Sequence, residues 1–119
     1  MNAPSELLEI TPRQALEALE EMGLSDEELA GALGTTPRTL QRWRKGTGSP
    51  PPLARQRLAE LLRLQDRVRD TFEGPGAARR WVRSKSLYLR GLTPADVIRE
   101  GRLDRAHGCL EVLDSGIFL

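Results

Sequence analysis

Arg38, Thr39, Gln41 and Arg42 fall within a few residues of one another, flanked by Thr36 on one side and Arg44 and Lys45 on the other. Arginine can fork onto guanine O6 and N7, and glutamine onto adenine N6 and N7. Each such pair gives about 1–3 kcal/mol of base discrimination. Threonine hydroxyls and the free amides at a helix start suit phosphate. On residue type, Arg38, Gln41 and Arg42 are the candidates for base edges. Thr36, Thr39, Arg44, Lys45 and the later Arg55 are candidates for the sugar–phosphate backbone. The remaining reactive residues combine less well. His107 and Cys109 are two apart, which on a helix puts them on different faces and excludes a Cys–His dyad. Cys109 borders an apolar stripe and reads as a small core residue. One histidine and one cysteine make no multi-ligand metal site and no internal disulfide. The acidic run Asp26, Glu27, Glu28 opens a helix, where the dipole accounts for it. No catalytic set, metal site or cofactor is expected.

The elements that must position the basic cluster are all helical in pattern. Thr11-Pro12 is a cap followed by an N1 proline. Ala15, Leu16, Leu19 and Met22 follow at helical spacing, and Gly23 stops the run. Ser25 and Glu28 form a capping box. Leu29, Ala30 and Leu33 then make an apolar stripe that ends at Gly34. Thr36-Pro37 starts a third helix that runs up to Gly46. Within 26–43 (DEELAGALGTTPRTLQRW) Ala30 supplies a small residue where two helices meet steeply. Gly34 tolerates positive φ in the turn, and Leu40 and Trp43 point inward from the second helix. This spacing is what a helix-turn-helix requires. It leaves Thr36, Arg38, Thr39, Gln41, Arg42 and Lys45 on the outer face.

Prolines in the loop 46–52 cannot continue a helix but can start one. A long helix is expected from near Pro52 to about Phe72, striped by Leu58, Leu61, Leu62 and Val68. Glu73-Gly-Pro-Gly76 reads as the main boundary. Beyond it come a helix with Ala77, Ala78, Trp81 and Val82 on one face, a loop at 84–93, and a short helix from Pro94 to near Gly101. A last helix is striped by Leu103, Ala106, Leu110 and Leu113 and broken by Gly116. The fold class is all-α: a helix-turn-helix bundle followed by a small helical module. The expected divisions are 1–10 as a tail, 11–73 as the helix-turn-helix domain and 74–119 as the second module.

Composition agrees. The chain has 119 residues, 39% hydrophobic and 29% charged, with only 4% aromatic, which suits a modest core of leucine and alanine. The net charge of +1 hides an asymmetry. Residues 1–35 sum to −7 and residues 36–69 to +7, with the rest near neutral. A basic stripe beginning at the second helix of a helix-turn-helix fits a nucleic-acid partner. No apolar run approaches the roughly 18 residues of a membrane span. The N-terminus has no secretory pattern, so a cytoplasmic protein with no membrane partner is expected.

Over roughly residues 11–72 the chain resembles the Xre-type helix-turn-helix of bacterial and phage repressors. The rest resembles the toxin-binding domain of the Xre/ParS/MbcA-type antitoxins of RES–Xre toxin–antitoxin systems. The matching residues are Ala77-Ala78, Trp81-Val82, Leu89-Arg-Gly-Leu-Thr-Pro94, Val97-Ile98, Gly101, Leu110, Leu113 and Ser115-Gly116. The segment between Trp81 and Gly91 departs from the family's more usual Asn-containing text. The resemblance implies an antitoxin and not an enzyme. Its partner would be a RES-domain toxin, ADP-ribosyltransferase-like and NAD-consuming, whose active-site entrance it covers. It also implies a homodimer that binds double-stranded operator DNA and regulates its own operon. The implied toxin-binding residues are Arg83, Lys85, Leu89, Arg90 and Gly91 of the loop, and Ser115, Gly116, Ile117, Phe118 and Leu119 of the tail. Two other functions fit the same elements. One is a stand-alone transcriptional repressor whose second module only dimerises it. The other is an interaction protein whose helix-turn-helix reads no DNA.

Overall fold

The computed structural model describes residues 10–116, and within them every regular element is helical. The first helix, α1 (Pro12–Leu19), is closed at its start by a reciprocal pair. Gln14 N–H donates to Thr11 Oγ1 at 3.1 Å, and Thr11 N–H donates to Gln14 Oε1 at 2.9 Å. It tightens into a 3₁₀ turn (Glu20–Met22) that ends where Gly23 takes φ +76°. α2 (Asp26–Leu33) repeats the device, with Ser25 and Glu28 bonded both ways at 3.1 and 2.8 Å. It stops at Gly34, φ +72°. α3 (Pro37–Arg44) is capped by Thr36 Oγ1, which accepts from Thr39 N–H at 3.2 Å. α4 (Pro52–Thr71) is the long helix, 20 residues from its proline start.

The expected boundary at Glu73-Gly-Pro-Gly76 is different in the structure. Gly74 and Pro75 are the first turn of α5 (Gly74–Val82), so the connection shrinks to Phe72 and Glu73. The physical reason is the proline, whose fixed φ suits a helix start as well as a break. α6 (Pro94–Arg99) carries the third capping box, Thr93 with Asp96. α7 (Leu103–Ser115) ends at Gly116, φ +74°.

One hydrophobic core runs through the seven α-helices of the described residues. Leu16, Leu19, Leu33, Leu40 and Leu61 join Val82, Ile98 and Leu110 in a single buried cluster, each no more than 2% exposed. α2 packs on α3 and α4 on one side and on α6 on the other, and α4 also lies against α7. The helix-turn-helix and the C-terminal helices therefore share their interior. Between α5 and α6 the chain makes a compact turn. Ser86 and Leu92 are joined by a backbone bond, Gly91 N–H returns to Ser86 O at 2.8 Å, and Arg90 and Gly91 take φ +59° and +90°.

Candidate nucleic-acid interface and partner-binding face

Leu40 and Trp43 are buried at 0% and 5% exposure and anchor α3 by one side. That orientation brings Arg38, Gln41, Arg42 and Lys45 to the exposed outer face, with Thr36 at the helix start and Arg55 exposed on α4. Thr39 is half-buried and its hydroxyl accepts from Thr36 at 3.2 Å. Arg44, expected at a phosphate contact, is paired within the chain. Its Nη1 pairs with Asp26 Oδ1 at 2.8 Å, with 27% of the side chain exposed. The other oxygen of Asp26 accepts from Gln41 Nε2 at 2.7 Å. Asp26 thus holds two residues of α3 from the first turn of α2. As a member of an acidic run it shows only a helix-dipole signal in the sequence. Its partners lie across the turn, and no periodicity links them.

Behind α2 a second ionic contact joins the two halves. Arg83 donates from Nη1 and Nη2 to the two oxygens of Glu28 at 2.6 and 2.8 Å, and from Nη2 to Gly23 O at 2.7 Å. Burial works against the charge on Glu28. The Arg83 guanidinium and the Ser25 amide and hydroxyl outweigh it and hold the carboxyl below the usual range. Arg83 is raised in turn, first by its bond to Glu28. Arg79 Nε adds a bond to Glu21 O at 3.2 Å. Arg83, expected at a toxin contact, is engaged within the chain because α5 lies beside the Gly23 turn.

The other C-terminal candidates divide. Lys85, Arg90 and Gly91 are exposed on the 84–91 turn. Leu89 is 1% exposed. Its side chain is core that pins the turn and presents no surface to a partner, because the turn folds its middle residue inward. Ser115 is exposed with its hydroxyl on Val112 O at 2.9 Å, and Gly116 caps α7. Ile117, Phe118 and Leu119 lie outside the described residues.

What the sequence did not single out is the face beside that turn. Leu87 is 83% exposed and Leu113 40%. They border a groove of about 240 Å³ whose wall includes Trp81, Tyr88 and Val112. Trp81 Nε1 is buried with no hydrogen-bond partner among the described residues. Large apolar groups around a concave surface mark an interaction site. Alternating turn residues carry no helical period, so the sequence held no sign of which leucine points out. Cys109 is buried, its Sγ 3.5 Å from Ser86 Oγ. His107 is held below the ordinary imidazole value by burial first and then by Arg67 and Arg63. Among the described residues no group of His, Cys, Asp and Glu could hold a metal ion, and no helix is long and apolar enough to cross a membrane.

The family model described as helix-turn-helix matches residues 16–66, which covers α2, α3 and the basic outer face of α3. The mycobacterial cidal antitoxin MbcA of Mycobacterium tuberculosis is 30% identical over 102 residues, covering 86% of this chain and 89% of the relative. The MbcA of Mycobacterium bovis matches to the same extent. A probable mycobacterial cidal antitoxin of M. tuberculosis is 24% identical over 106 residues, 89% of this chain and 90% of that one. The fold resembles a chain in the crystal structure of the M. tuberculosis MbcT–MbcA toxin–antitoxin complex. There the TM-score is 0.68 and the identity 29%, with 91% of this chain and 96% of that chain covered. The match runs through both the helix-turn-helix and the C-terminal helices, and such relatives are regulators rather than enzymes: the chain belongs to the MbcA family of antitoxins, with an Xre-type helix-turn-helix at its core.

Proposed function

We propose that this chain neutralises a RES-domain, NAD-consuming toxin in the cytoplasm by covering its active-site entrance, and that it represses its own operon by binding operator DNA as a dimer. The observation that carries the first half is the apolar face at Leu87 of the 84–91 turn and Leu113 of α7, in an antitoxin-family chain. We assign the tail Ser115, Gly116, Ile117, Phe118 and Leu119, which follows α7 in the sequence, to the same contact. Lys85 lines the apolar groove, Arg90 and Gly91 are exposed on the same 84–91 turn, and Arg83 precedes it, bonded to Glu28. Inhibition by occlusion makes slow dissociation the useful property. The second half rests on the outer face of α3 and its flanks: Thr36, Arg38, Thr39, Gln41, Arg42, Lys45 and Arg55. A module this small is expected to bind as a two-fold dimer on a palindromic site.

The test is to express the neighbouring reading frame with and without this chain and to follow growth and intracellular NAD. Both are expected to fall without the chain and recover with it. Leu87→Asp is expected to abolish the rescue. A harmless neighbour, or full rescue by L87D in a folded protein, overturns the toxin half. The double variant Arg38→Ala/Arg42→Ala is expected to lose operator binding while still rescuing growth. Loss of both activities in a folded double variant overturns the assignment of separate faces.

A further inference from the structure

Among the described residues, Asp26 is the acidic side chain bonded to the outer face of α3. It uses both oxygens there: Oδ2 accepts from Gln41 Nε2 at 2.7 Å and Oδ1 pairs with Arg44 Nη1 at 2.8 Å. A carboxylate accepts and does not donate. The Gln41 amide must therefore turn its NH₂ end toward Asp26. Nε2 carries two hydrogens. With one given to Asp26, the other remains beside Oε1, and the residue is exposed. A donor and an acceptor side by side on an amide form the pattern that pairs with adenine N7 and N6–H. Arg44 completes the device. It holds the carboxylate in place and balances a negative charge that would otherwise face phosphates.

We propose that Asp26 is the positioning residue for base selection: it locks the Gln41 amide in the orientation that reads adenine. The proposal rests on the reading that α3 enters the major groove. Asp26 itself touches no base. Its role passes through Gln41, so its loss should blur selection at one position and leave the rest of the site unchanged.

The experiment is selection of bound duplexes from a randomised pool by the full-length chain, read position by position. The wild type is expected to prefer adenine at one position of each half-site by about tenfold or more, and Gln41→Ala to lose that preference. Asp26→Ala is expected to drop the same preference to roughly threefold or less while the guanine preferences set by Arg38 and Arg42 persist. The Asp26→Ala/Gln41→Ala double variant should be no worse than Q41A alone. An unchanged adenine preference in D26A overturns the proposal, and so does an equal loss at every position, which marks a merely structural role. Failure of the wild type to enrich any sequence overturns the DNA reading itself, and is distinguished by the wild-type arm. Should D26A not fold, Arg44→Gln carries the test, because it frees the carboxylate and should weaken the same single preference. An unaltered profile in a folded R44Q protein then sinks the proposal.

Discussion

Glu28 performs two tasks with one carboxylate. It closes the capping box at the start of α2 through Ser25 N–H, and it takes both ends of the Arg83 guanidinium. Its folded-state pKa lies below the ordinary 4.5, so the native state holds this proton less tightly than the unfolded chain does. Stability rises with pH wherever the unfolded state binds more protons. The contribution of Glu28 is complete above about pH 5 and is lost as pH falls through the lowered native value. Arg83→Met should cost about 1 kcal/mol at neutral pH, limited by the half-exposed guanidinium. For a chain of this size that is a fall of about 5 °C in Tm. The gap between R83M and the wild type should narrow as the pH is lowered from 6 to 3, which thermal melts across that range would show. A gap independent of pH would mean that Arg83 acts through Gly23 O and packing rather than through Glu28.

At the scale of elements, α2 is the most constrained helix. A Cβ on Gly31 would stand 2.5 Å from the Arg99 carbonyl oxygen, a backbone atom that cannot swing away. α2 and α6 meet there backbone to backbone. Gly31→Ala improves helix propensity by about 1 kcal/mol, but forcing these helices apart costs about 1–3 kcal/mol as overpacking does. Burial on both sides decides the balance, and a net loss of stability is expected in urea melts. Gly108→Ala makes a useful comparison. Its Cβ would meet the Tyr88 hydroxyl, the far end of a flexible side chain, so the cost should be smaller than for G31A. If G31A proves as stable as the wild type, the close approach of α2 to α6 is not a structural requirement. α3 is bound to this arrangement through Asp26. Whatever moves α2 moves the outer face of α3 as well.

The whole molecule behaves as one folding unit by this geometry. The buried cluster passes without a gap from α1 to α7, and its Cα radius of gyration is 14.2 Å, close to the roughly 13.5 Å of a compact domain of this length. A module spanning 11–73 alone would expose the sides of α2 and α4 that α6 and α7 cover. The full chain should therefore unfold in one cooperative transition. Residues 1–73 expressed alone should lack a sharp transition and bind a hydrophobic dye. A cooperative melt of that fragment would support the division at 73/74 into two domains. The same geometry places the apolar groove and the outer face of α3 on one frame.

The local layout was legible before any packing was known. Thr11, Ser25, Thr36 and Thr93 each begin a helix, and Gly23, Gly34 and Gly116 each end one. The reason is that a cap is decided within three or four residues, and the sign of φ within one. The outward set on α3 was legible too, since Leu40 and Trp43 fix which side faces the core. The tertiary structure alone decided that Arg44 and Gln41 share Asp26, that Arg83 turns inward to Glu28, that Leu89 is core while Leu87 is surface, and that Gly31 rests on Arg99. These pairings join residues far apart in the chain through long side chains with many rotamers. No period or spacing encodes which of them meet, and only the packing of α2 between α3, α4 and α6 brings them within reach.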